Sequence, residues 1–515
     1  RAGEGGALLA RLRGVVAIDE EQGSRFLREY KASRPFKPVT IKLRISDDEA
    51  ARFAVNRWRF PGVDLVPYLG RVYPHGPLLA HVVGYVGRVD EKDQAALGPA
   101  GSAYSHVGKT GLERYYDEQL RGKPGFRRLE TNVDGRTVRA LDTVPATPGT
   151  DLQLSIDLDL QRAMVDAFGE LEGTAVAVDP RTGEVLAMVS LPAYDTNLFV
   201  NGISHADYKA LQDNPSRPQF NRLVLGGVAP GSTIKPLTTL AGLDSGVRRP
   251  EDRILSTGVF RLPGMRGRGW LDGVHGWTDA RKAIYESVNT YYYQLALDMG
   301  VQRYDTYMER YGFGQKTGID LAGEIEGIVP SPASKRQYEK KARWYPGDLV
   351  NASIGQGLWK VTPLQLVRGV AAIADDGRMR RPHLVANTRP RFDAPWQPLP
   401  QADPIRISDD AGHVRVVQEG MQMTTTGSGT AARIFRGTPY LSAGKTGTAQ
   451  VVNRGARAVD PRSLPLWKRH RGLYIGYAPA DDPKIAIAIA VEGGGFGADS
   501  AAPIARKVFD AWLLG

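Results

Sequence analysis

The stretch Pro230-Gly231-Ser232-Thr233-Ile234-Lys235-Pro236 places a hydroxyl and an amine three residues apart at the head of an amphipathic segment. Beyond it Ile234, Leu237, Leu240, Ala241 and Leu243 recur at three- and four-residue intervals, and Gly246 supplies a stop, so the spacing predicts a helix that starts near Ser232. Residues three apart share one helix face. Ser232 then lies in the first turn, where unpaired backbone N–H groups and the positive dipole end favour a developing anion. Pro236 fits this position, because the hydrogen bond it removes is the one to the Ser232 carbonyl. A serine hydroxyl is a weak nucleophile, and a desolvated lysine amine beside it can take its proton near neutral pH.

A Ser-x-x-Lys string arises roughly once by chance in a chain of this length, and a second copy runs from Ser442 to Lys445. The companions of the first copy separate it from chance. Ser287-Val288-Asn289 is the only Ser-x-Asn in the sequence and lies between two helical stretches, 278–286 and 290–299. Lys445-Thr446-Gly447-Thr448 follows, inside a run of small residues (440–450) that reads as a strand beside which a substrate backbone can lie. Two further Lys-Thr-Gly strings, at 109–111 and 316–318, lack such partners. The first opens a helix and reads as structural; the second sits in a loop leading to a short strand.

The 515 residues suffice for two or three domains, and 42% hydrophobic with 24% charged residues is a globular composition. A net charge of +11 suits an anionic surrounding such as a membrane surface or an acidic polymer. The basic residues are dispersed without a recognition motif, so no nucleic-acid partner is expected. With no cysteine there are no disulfides and no thiolate metal sites. No apolar run is long enough to span a bilayer.

Residues 1 to about 45 read as part of a small mixed α/β region, with a strand at 37–43, and 57–69 and 78–86 read as strands from their β-branched and aromatic content. The turn-rich 145–150 segment is the boundary candidate, dividing an N-terminal domain (1–148) from a second domain (149–515). After it come a strand at 152–156, a helix at 157–171 capped by Asp157 or Asp159, and a hairpin of 174–178 with 184–189. Helices at 363–375 and 410–424, a hairpin of 473–478 with 485–491 and a closing helix at 501–514 complete the reading. A basic loop (Arg454, Arg457, Arg462, Lys468, Arg469, Arg471) is expected to be solvated.

The order Ser232-x-x-Lys235, Ser287-x-Asn289, Lys445-Thr446-Gly447-Thr448 resembles the motif set shared by penicillin-binding proteins and class A β-lactamases. Pro230-Gly231, Gly355-Gln356-Gly357, Thr362-Pro363-Leu364-Gln365-Leu366 and Gly444 are similar to that family's flanks. The resemblance runs from about residue 105 to the end. It is closest to the class B, elongation-type penicillin-binding protein 2, on the Gly111-Leu112-Glu113-Arg114-Tyr115-Tyr116 segment and the layout of the tail.

That resemblance implies an α+β fold: a mixed α/β pedestal, then a transpeptidase domain with an antiparallel sheet flanked by helices. It implies that Ser232 attacks the carbonyl between two D-alanines, with Lys235 as base, and that Ser287 relays a proton. Asn289 would hold the substrate amide and orient Lys235. Lys445, Thr446 and Thr448 would grip the stem peptide's terminal carboxylate, Gly447 would admit the substrate backbone, and the N–H groups of Ser232 and Thr448 would form an oxyanion hole. The implied partners are peptidoglycan stem peptides, β-lactams, a membrane glycosyltransferase polymerase of the rod-shape system and other elongation-complex proteins. The implied location is the periplasmic face of the bacterial inner membrane, with an anchor expected ahead of Arg1.

A β-lactamase or penicillin-sensing domain shares the nucleophile. The former adds a water-activating glutamate, and Glu324 and Glu326 occupy a plausible stretch without a Glu-x-x-x-Asn. A non-catalytic cell-wall scaffold is the reading from a different class, and the intact motifs oppose it. Some relatives hold zinc in the region of Asp252, Asp272 and His275; with irregular spacing and no cysteine, a surface loop is the expectation there, and no cofactor is required.

Overall fold

The computed structural model describes residues 2–33, 38–132, 137–264, 269–339, 343–450, 464 and 466–515. Its centre is a five-stranded antiparallel sheet of β1 (Gly173–Val178), β2 (Val185–Leu191), β3 (Ala443–Ala449), β4 (Arg471–Ala478) and β5 (Ile485–Val491), in the order β3-β4-β5-β1-β2. The alternation Ile485-Ala486-Ile487-Ala488-Ile489-Ala490-Val491 explains how β5 occupies the middle. Its isoleucines and Val491 enter one apolar core and its alanines another. Both faces of a strand are apolar when both are covered.

The isoleucine face packs on α1 (Leu158–Phe168, capped by Asp157) and the C-terminal helix. On the alanine face the short side chains admit α5 (Pro363–Ala374), and behind it lie α2 (Lys235–Asp244), α3 (Ala280–Tyr285), α4 (Asn289–Met299) and α6 (Ala411–Thr425). The C-terminal helix, α7, is Ala501–Leu513. Every regular element expected after residue 150 forms within a few residues of its expected bounds, the 152–156 strand as Asp151–Leu154 against Val385–Arg389 outside the central sheet, except that 316–321 leads to no strand.

The N-terminal region departs further from expectation. Its helices Ala2–Leu12, Glu20–Ala32 and Asp47–Asn56 close a small core of their own around Leu9, Leu12, Phe26, Phe53 and Phe60. The strand expected at 37–43 does not form over its described part, 38–43, and residue 37 lies outside the described residues. The 57–69 run is a short 3-10 turn followed by irregular chain, because Pro61 and Pro67 remove ladder donors and, among the described residues, no strand pairs with it. Within 78–86, Ala80–Val83 is a single helical turn ended by Gly84, and pairing begins only at Val86–Arg88, against His106–Gly108. Lys109 of the first Lys-Thr-Gly forms ion pairs with Asp90 and Asp93. Much of the basic loop lies outside the described residues; Arg471 pairs with Glu492 at 2.6 Å.

A buried carboxylate ties the two regions together. Asp320 accepts the Tyr116 hydroxyl at 2.9 Å and the backbone N–H groups of Leu384 and Val385 at 2.7 and 3.0 Å. Asp320→Ala strands these three donors, and the expected outcome is a loss of about 3 kcal/mol, measured by urea unfolding of the whole chain.

Among the described residues no helix is long and apolar enough to cross a membrane.

Candidate active site

Gly231–Ile234 forms a 3-10 turn and the α-helix proper begins at Lys235, three residues later than the sequence spacing suggests. In a 3-10 turn residues three apart eclipse one another. Ser232 and Lys235, three apart and linked by the Lys235 N–H to the Ser232 carbonyl, therefore share one face of the turn, and Pro236 occupies the first α-turn without cost. The helix ends at Asp244, with Gly246 at φ +70°.

Gly231 has φ +53°, and a Cβ there would strike the Thr448 carbonyl. From the other side, a Cβ on Gly447 would lie 2.8 Å from Thr233 Cγ2 and 3.2 Å from the Pro230 carbonyl oxygen. The two glycines let β3 run against the nucleophile turn. The 355–357 turn fixes the arrangement: the Gly355 carbonyl accepts from Gly231 N at 2.9 Å, and Gln356 Nε2 donates to the Thr448 carbonyl at 2.9 Å.

Lys235 is 0% exposed. Its Nζ donates to the Ser287 carbonyl at 2.7 Å, to Ser287 Oγ at 3.1 Å and to Asn289 Oδ1 at 2.7 Å. Ser287 can offer both groups because its backbone is turned into the left-handed region, φ +60°, a conformation uncommon for a residue with a side chain. Burial pulls the Lys235 amine down to about 7, opposed by the negative charge of Asp272. Lys445 is also 0% exposed and donates to the Thr446 carbonyl at 3.0 Å. Burial first, and the charge of Lys235 second, holds it well below the ordinary lysine range.

The structure thus brings Ser287, Asn289 and Lys235 into contact and lays the Lys445–Thr448 strand beside the Ser232 turn. Thr446 Oγ1 is 2.9 Å from Thr430 Oγ1, a contact sequence reading missed although Gly427-Ser428-Gly429-Thr430 is a recognisable small-residue turn. Tyr292 was also missed. Its ring centroid lies 5.1 Å from Lys235 Nζ and its hydroxyl 2.9 Å from Thr239 Oγ1. It is three residues from Asn289 and shares that helix face.

The middle Lys-Thr-Gly has a local explanation. Glu324 is buried, accepting from Thr317 N and Oγ1 (2.8 and 2.5 Å) and from Gly318 N (3.1 Å), so the middle Lys-Thr-Gly and the nearby glutamate satisfy each other.

The zinc candidates do not form a donor set. Asp252 accepts from Arg249 N at 2.8 Å, Asp272 Oδ2 accepts from Thr290, and His275 Nδ1 lies 2.8 Å from Glu286 Oε2 with Nε2 3.8 Å from Asp272 Oδ1. Among the described residues no group of three or more His, Cys, Asp or Glu is placed to hold a metal ion. These residues do not fit a tetrahedral zinc site.

Comparison with known proteins matches residues 173–510 to the penicillin-binding protein transpeptidase domain and residues 4–154 to the penicillin-binding protein dimerisation domain. The chain belongs to the penicillin-binding protein family. The peptidoglycan D,D-transpeptidase MrdA of Salmonella typhimurium is 38% identical over 517 residues, covering 98% of this chain and 82% of the relative. The crystal structure of Pseudomonas aeruginosa penicillin-binding protein 2 in complex with WCK 5153 is similar at 40% identity and TM-score 0.76, covering 87% of this chain and 91% of that one. The Helicobacter pylori penicillin-binding protein 2, solved as a complex with MreC, is similar at 28% identity and TM-score 0.83, covering 99% and 92%. The α+β architecture of this penicillin-binding protein, with an N-terminal pedestal and a transpeptidase domain, is that of the family.

Proposed function

We propose that this chain is a peptidoglycan D,D-transpeptidase of the elongation type that cross-links stem peptides through an acyl-enzyme on Ser232. The observation that carries the assignment of residues is the fully buried Lys235 amine, bonded to Ser287 and Asn289 and placed three residues from Ser232 across the 3-10 turn.

Neutral Lys235 takes the Ser232 proton as Oγ attacks the carbonyl of the penultimate D-alanine. The backbone N–H groups of Ser232 and Thr448 stabilise the oxyanion. Ser287 passes the proton to the leaving amine of the terminal D-alanine, and an acceptor amine then resolves the ester. A β-lactam carbonyl follows the same first step. The substrate carboxylate binds Lys445 and the hydroxyls of Thr446 and Thr448, and its charge draws a proton back onto the buried Lys445 amine.

The enzyme works at the periplasmic face of the inner membrane beside a glycan polymerase and other elongation-complex proteins. Exposed Trp58, Val66, Leu69 and Val72 in the N-terminal region support docking there, as does the complex of the Helicobacter pylori relative with MreC.

The test is incubation with a fluorescent penicillin and mapping of the adduct by mass spectrometry. A stable label on Ser232 that Ser232→Ala abolishes is expected. A label elsewhere defeats the assignment, and release within seconds identifies a β-lactamase instead.

A further inference from the structure

Helix α4 begins at Asn289, one of the two residues that hold Lys235, and it begins without a cap of its own. Val288 stands at the N-cap position and has no side-chain acceptor to offer. The missing acceptor comes from 17 residues upstream of that helix. Asp272 Oδ2 accepts from Thr290 N at 2.7 Å and from Thr290 Oγ1 at 2.8 Å, and Ser256 Oγ donates to the same threonine hydroxyl at 3.3 Å.

Asp272 is itself anchored. Its N–H donates to the Gly258 carbonyl at 2.9 Å, and it lies between two small antiparallel ribbons, Val259–Phe260 with Trp270–Leu271 and Ile254–Ser256 with Gly276–Thr278. Only 5% of its side chain is exposed, which makes an unmatched carboxylate costly and a matched one strong.

We propose that Asp272 is a positioning residue for acylation: it caps α4 across the fold and thereby holds Asn289 and Ser287 on Lys235. The proposal rests on the assignment of Ser232 and Lys235 given above.

Two separable effects follow. The cap is geometric. Asn289 and Thr290 are the first two residues of α4, so slack at Thr290 is slack at the Asn289 oxygen that receives Lys235. The charge acts through space, as the attraction that opposes the burial-driven fall of the Lys235 amine. Other groups face this lysine too: Lys445 from β3, the Tyr292 ring from α4, and, on the far side of Asp272, His275 with Glu286. None of these but Asp272 combines a carboxylate with a bond to α4.

The two substitutions Asp272→Asn and Asp272→Ala separate the effects, read on the whole chain by the rate of Ser232 labelling with a fluorescent penicillin from pH 5 to 9. Asp272→Asn keeps an acceptor for Thr290 and loses the charge. Its acylation above pH 8 is expected within about threefold of the parent, with the acid limb moved to lower pH because the Lys235 amine falls further. Asp272→Ala loses both, and acylation is expected to drop about tenfold to a hundredfold at every pH. If both variants lose activity equally with an unmoved acid limb, the residue is merely structural and the proposal is overturned. It is also overturned if Asp272→Ala acylates normally, or if elemental analysis finds stoichiometric metal in the parent that Asp272→Ala releases. Absence of a Ser232 label in the parent defeats the underlying assignment instead, whatever the variants do.

Discussion

Lys235→Ala lowers the rate of Ser232 acylation by about 10²- to 10⁴-fold, the range a positioned general base supplies. The cause is the burial that brings its amine to about 7. In the parent enzyme the acylation rate falls tenfold for each pH unit below that value, because only the neutral amine accepts a proton, and it levels off above it. Lys235→Ala has no such limb. Labelling rates measured by rapid quench across pH 5 to 9 give both quantities. A parent profile flat through neutrality would remove Lys235 as the titrating base.

The same burial has a stability signature. An unfolded lysine keeps its proton up to about pH 10.4, so between pH 7 and that value the unfolded chain binds more protons than the folded one. Stability therefore rises with pH across this window, and the penalty for the buried amine is complete only below it.

Gly231→Ala is the second large effect. The new methyl meets the Thr448 carbonyl, which is backbone, and the residue must keep φ +53°. A left-handed alanine and a forced contact together destabilise by about 3 kcal/mol, and relief is available only by separating β3 from the nucleophile turn. A displacement of this kind costs about a hundredfold in rate. Thermal unfolding and acylation kinetics on one preparation check it. A variant with the parent's melting temperature and rate would mean that β3 does not lean on Gly231.

The parts of this architecture that sequence carried are those where local pattern and final burial agree. Ile485 to Val491 alternates large and small because two different cores flank it, and the helix expected at 363–375 forms as α5. The motif order grouped Lys235 with Ser287 and Asn289, and the structure bonds Lys235 to both. What it could not carry were features decided by distant partners. Val66 and Leu69 have strand-forming side chains but remain exposed, since prolines interrupt the backbone and no strand among the described residues pairs with it. Asp272 was visible as a polar loop residue, yet its partner Thr290 follows from folding of the intervening ribbon. The φ of Ser287 is imposed by packing between α3 and α4, not by residue type.

The middle position of β5 has a consequence for how the molecule comes into being. Val178 of β1 faces Ala486 of β5, so one edge of the first hairpin waits roughly three hundred residues for its neighbour, a contact order associated with slow folding. During that interval the chain presents an apolar, unpaired edge of the kind that joins to other chains. Because β3 pairs only with β4, and β4 joins the first hairpin only through β5, the strand that runs against the Ser232 turn is seated on the sheet only once both later strands are in place.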